Sequence, residues 1–83
     1  MPKMTKVQHK RLTNIEAARQ SAIQAIYNSA PNRDTRFRDC LKLAHPGLVA
    51  AYEAACRDLI EFESRMIGEG RARRSNTGGF YTN

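Results

Sequence analysis

His9, Cys40, His45 and Cys56 are the chain's whole stock of imidazole and thiol. Cys40 and His45 lie five residues apart and straddle a helix end, so a Cys–His dyad requires a chance tertiary contact. The four do not match the ligand spacing of a zinc finger or ribbon. Glu61 and Glu63 fall about 200° apart on a helix, which rules out a paired-carboxylate site. No glycine-rich turn joins a strand to a helix to hold phosphates. We therefore expect no catalytic residues, no metal and no cofactor, and a protein that is not an enzyme.

The remaining chemistry is that of cations and rings. Of the 83 residues, 1–12 carry Lys3, Lys6, Lys10 and Arg11 with no acid, and 71–83 carry Arg71, Arg73 and Arg74 with no acid. The intervening 13–70 hold seven basic and eight acidic side chains, so the net charge of +6 is concentrated in the two ends. Near the C-terminus, Phe80 and Tyr81 follow the arginines. Arginine neutralises phosphate, and rings and guanidinium planes stack on bases. Both ends read as flexible, a basic N-terminal arm over 1–12 and a basic, aromatic tail over 71–83. Arg33, Arg36 and Arg38 add a possible patch continuous with one of them. The candidate nucleic-acid or anion contacts are thus these ten cations, Phe80, Tyr81 and Arg19.

The spacing of apolar residues predicts what must position these groups. An all-α, three-helix domain is expected over 13–70, with two shorter helices packed on one long one. Thr13-Asn14-Ile15-Glu16 has the form of a capping box and opens a helix over about 14–29, with Ile15, Ala18, Ala22, Ile26 and Ala30 as its stripe. Arg19 falls inside that apolar arc, where a charge must reach water or find a carboxylate; Glu16 is one turn away. Pro31 stops the helix, and a second runs over about 33–44 with Phe37, Cys40, Leu41 and Ala44 on one face.

The third and longest helix is expected over 46–68. Pro46 suits its first position, and Gly68 and Gly70 are stop signals. Leu48, Tyr52, Ala55, Leu59, Phe62 and Met66 form a stripe along it, flanked by a second line of Val49, Cys56, Ile60 and Ile67. The opposite face alternates Glu53, Arg57, Glu61 and Arg65, an arrangement suited to water. So long a stripe exceeds what two short helices cover, and it is expected to serve in part as a homodimer seam. Two cysteines on apolar faces read as reduced core thiols of a cytoplasmic protein, a Cys40–Cys56 bridge having no support. No run of residues is long and apolar enough to span a membrane.

Three functions fit this layout. The first is a non-catalytic binding protein that docks through basic arms on nucleic acid or a nucleoprotein. The long helix is a poor recognition helix, since 46–70 sums to −3. The second is an inhibitor or regulator that occludes a site on a larger protein with an acidic surface, a build found among phage and mobile-element proteins. The third is a sponge for an anionic ligand such as a nucleotide, held in a basic pocket between protomers, with Arg19, Tyr27 and Arg36 as the residues that test it.

Overall fold

Thr5 opens the first helix. Its Oγ1 accepts from the Gln8 amide at 3.1 Å, and Gln8 Oε1 accepts from the Thr5 amide at 2.8 Å, a complete capping box two turns ahead of the expected one. The computed structural model describes residues 2–83. Met1, the first residue of the expected 1–12 arm, lies outside them. Helix α1 spans Lys6–Asn28, so most of that arm is helical. Thr13 sits inside the helix, its hydroxyl donating back to the His9 carbonyl at 3.0 Å. Met4, just before the helix, is buried.

Helix α2 is shorter than expected, Phe37–Leu43 in place of 33–44. The polar linker before it has its own local bonds. Asn32 Oδ1 accepts from the Asp34 amide at 3.0 Å and from the Thr35 hydroxyl at 3.1 Å, which holds a turn where the helix was expected to start. Helix α3 spans Pro46–Gly68, as the sequence predicts. His45 caps it, Nδ1 accepting from the Gly47 amide at 3.0 Å. At the far end, Gly70 adopts φ +74°. Its amide donates to the Ile67 carbonyl at 3.0 Å, and the Arg71 amide donates to the Met66 carbonyl at 2.9 Å. This is a Schellman stop, and the left-handed backbone is why a glycine stands there.

The expected flexible tail is a β-hairpin, which amends the all-α reading to a mostly helical fold with one small strand pair. Strands β1 (Ala72–Arg74) and β2 (Phe80–Thr82) pair antiparallel, with Ala72 opposite Thr82, Arg73 opposite Tyr81 and Arg74 opposite Phe80. The connecting turn is closed by Ser75, whose amide donates to the Gly79 carbonyl at 2.8 Å and whose carbonyl accepts from Gly78 at 3.0 Å. Gly78 has φ +90°.

Helices α1 and α3 run antiparallel, and each end of the pair has its own core. At one end the hairpin and the N-terminal segment join Met4, Ile15, Phe62, Met66 and Ala72, with Leu12, Leu59, Ile67 and Phe80 packed around them. At the other, α2 completes a cluster of Ile26, Cys40 and Ala44, with Leu48, Val49 and Tyr52 against it. There Phe37 bridges Tyr27 and Tyr52, both ring centroids 5.2 Å away.

The six-residue stripe of α3 is thus spent within the chain. Ala55, Phe62 and Met66 are buried, and Leu48, Tyr52 and Leu59 pack against the two clusters. The hairpin covers one end of the stripe and α2 the other, while Leu59 also lines an open groove. Ala18, placed in the α1 stripe, is exposed. Cys40 and Cys56 are both free thiols, and Cys40 is fully buried. No helix is long and apolar enough to cross a membrane.

Candidate nucleic-acid interface

The hairpin brings the two basic ends of the sequence together. Arg71 donates from Nη1 to the Lys3 carbonyl. Asn83 donates from Nδ2 to the Pro2 carbonyl at 3.0 Å and to the Gly70 carbonyl, and its amide donates to Arg71 at 3.1 Å. Residues separated by most of the chain are therefore clasped, and their cations form one pole of an elongated molecule measuring 48 × 27 × 17 Å.

Not every cation at that pole is free. Arg71 pairs with Glu69 at 2.8 Å, and Arg74 reaches Glu63 at 3.3 Å and the Gly78 carbonyl at 3.2 Å. These two arginines fasten the hairpin to α3. They are the only members of the 14 Lys and Arg side chains that hold a carboxylate among the described residues. Arg11 lines a crevice with Asp58, Glu61 and Arg65, which places it against the acidic side of α3. Lys3, Lys6, Lys10 and Arg73 remain exposed without a carboxylate.

Strand alternation decides which hairpin side chains face out. Ala72 is buried and Phe80 packs on the core, so their neighbours Arg73 and Tyr81 take the outer face, directly opposite each other. Tyr81 is 51% exposed. Beside this pair lies a hollow of about 350 Å³ lined by Arg73, Arg74, Ser75, Asn76 and Tyr81. It offers a ring, guanidinium groups, a hydroxyl and an amide, the groups that hold a nucleotide by stacking and hydrogen bonds. Ser75 and Asn76 were not among the expected contacts. The signal for them was the five-residue, glycine-ending loop between two short segments.

Phe80, expected as a contact, serves the core instead. Arg33, Arg36 and Arg38 stand at or beside α2, at the end opposite the basic pole, so they do not extend it. Arg36 is the N-cap residue of α2.

Arg19 is half-buried midway along α1. It forms no ion pair with Glu16 among the described residues. Its guanidinium lies close to the Tyr52 hydroxyl, whose pKa is raised. The Cys56 thiol is the main cause, with burial next, and Arg19 opposes them. Arg19 also lines a groove of about 600 Å³ together with Glu16, Gln20, Leu59, Glu63 and Phe80. Within one chain this groove sets two carboxylates beside one guanidinium, a poor setting for phosphate. Tyr27 and Arg36 lie toward α2, Tyr27 against Phe37 and Arg36 at the α2 cap. Among the described residues, no group of three or more His, Cys, Asp or Glu is placed to hold a metal ion.

No family model matches this chain, and neither a curated protein nor a solved structure matches it.

Proposed function

We propose that the chain is a non-catalytic nucleic-acid-binding protein. In this reading Lys3, Lys6, Lys10 and Arg73 engage phosphates, and the Arg73–Tyr81 face takes a base. The observation that carries the proposal is the clasp. It gathers cations from both ends of the sequence at one pole, beside an exposed ring. A soluble surface with no such partner gains nothing from concentrating like charges, since their mutual repulsion opposes the compact state. Single strands suit the site better than a duplex. A three-residue hairpin face is too short to follow a groove, and stacking on Tyr81 requires an unpaired base.

Fluorescence anisotropy with a labelled single-stranded oligonucleotide at several salt concentrations tests this. Affinity is expected to fall steeply with salt. Replacing Lys3, Lys6, Lys10 and Arg73 with Gln is expected to flatten the log–log slope by roughly 0.7 for each lost phosphate contact. Tyr81→Ala is expected to weaken binding by ~1–3 kcal/mol with the slope unchanged. Replacing Arg33, Arg36 and Arg38 with Gln removes charge at the other end and is expected to have little effect. Equal losses from the two sets would reduce the interaction to bulk charge and defeat the assignment.

A further inference from the structure

The middle of the helix pair is left uncovered. Hairpin and α2 cover its two ends, and the second apolar line of α3 records this along its length. Ile67 packs on the hairpin core and Val49 on the α2 core. Val49, Cys56 and Ile67 are all half-buried, whereas Ile60, between the two clusters, is 60% exposed. A groove lined by Leu12, Glu16, Arg19, Leu59, Glu63 and Phe80 runs from this level toward the hairpin.

The surface area says how much is missing. The accessible surface is 6152 Å², against about 5,000 Å² for a folded monomer of this mass. The radius of gyration is 15.2 Å, where about 12 Å is expected for the chain length. An excess of roughly 1,100 Å² is at least what one partner contributes to a stable interface, about 800 Å².

We infer that a second copy of this chain packs on this face about a two-fold axis perpendicular to the helix pair, with the exposed Ile60 and the adjoining groove inside the contact. The charge pattern selects a copy over an unrelated protein. Glu16 and Arg19 stand one turn apart on α1, and neither holds an ion-pair partner within its own chain among the described residues. An isologous contact brings each Arg19 to Glu16 of the second copy and satisfies both twice. The antiparallel arrangement leaves the two basic poles at opposite ends, clear of the interface. This inference stands independently of nucleic-acid binding.

Sedimentation equilibrium of the nuclease-treated full chain, over a range of concentrations, reads the result. The expected mass is twice 9.4 kDa. Ile60→Asp, at a position exposed enough not to harm the fold, is expected to raise the dissociation constant by on the order of 100-fold, because the loss occurs twice. Arg19→Glu is expected to weaken the dimer, and the exchange Glu16→Arg with Arg19→Glu to restore it. Leu43→Asp, on α2 at a position 62% exposed, is expected to change nothing. A monomeric mass at every concentration overturns the inference. So does an I60D dimer as tight as the parent, or equal disruption by L43D.

Discussion

Tyr52, packed against the α2-end core, has the Cys56 thiol and the Arg19 guanidinium as neighbours. Its pKa is raised above the ordinary value near 10, first by interaction with the Cys56 thiol, then by burial, with Arg19 pulling the other way. A raised folded-state value means the neutral phenol is favoured in the fold. The resulting stability is fully present below the unfolded-state pKa, and is lost as pH rises through the raised folded value. In a phenolate absorbance titration, one of the three tyrosines is therefore expected to ionise late. Tyr52→Phe should remove that late step, and Cys56→Ala should move it back toward the ordinary range. If the late step persists unchanged in the Cys56→Ala protein, the thiol is not its cause. None of this was legible in the sequence. Tyr52 reads as one member of an apolar stripe, and Arg19 as a charge seeking Glu16. Their nearness across the α1–α3 contact depends on helix register, which spacing within one helix does not determine.

Among the elements, α3 was readable to its ends, and α1 and the hairpin were not. Pro46 and Gly70 are local signals with local causes, a missing N–H and a left-handed backbone, and an unbroken stripe joins them. In α1 two capping boxes compete, Thr5 with Gln8 and Thr13 with Glu16. The later one precedes the richer apolar stripe and so wins on sequence. The earlier one wins in the fold because burial of Met4 and packing of Leu12 carry the helix through its polar first turns. The two threonines therefore differ in worth. Thr5→Ala is expected to cost about 1 kcal/mol in urea denaturation, the loss of a working cap. Thr13→Ala is expected to fall within ~0.5 kcal/mol of the parent, since its back-bond to His9 adds little to a helix. Equal costs would place the functional cap at Thr13 after all. The hairpin escaped for a related reason. Ala72-Arg73-Arg74 has poor intrinsic preference for a strand. It becomes one because Ala72 and Phe80 dock on a core that draws Met4 and Ile15 from the other end of the sequence.

At the scale of the whole molecule the two basic ends are one feature, and that has a thermodynamic consequence separate from any binding assay. Clasping the two ends gathers Lys3, Lys6, Lys10, Arg71, Arg73 and Arg74 at one end of the molecule, and Glu63 and Glu69 offset only part of their repulsion. The fold is therefore expected to gain stability when this field is relieved. Added salt should raise the melting temperature modestly, by screening. A single-stranded oligonucleotide should raise it more at low salt, since a ligand at 100 times its dissociation constant adds ~2.7 kcal/mol to a fold that alone binds it. Each kcal/mol moves the midpoint of a domain this small by about 4–8 °C, so a rise of roughly 10–20 °C is expected under those conditions. Protein concentration must be held fixed, because a dimer melts in a concentration-dependent way. The Gln variant at Lys3, Lys6, Lys10 and Arg73 should reverse the pattern, melting higher than the parent without oligonucleotide and gaining little from it. A parent protein whose midpoint is indifferent to both salt and oligonucleotide would mean that the basic pole is adequately solvated alone. The clasp would then have to be explained by packing of the hairpin.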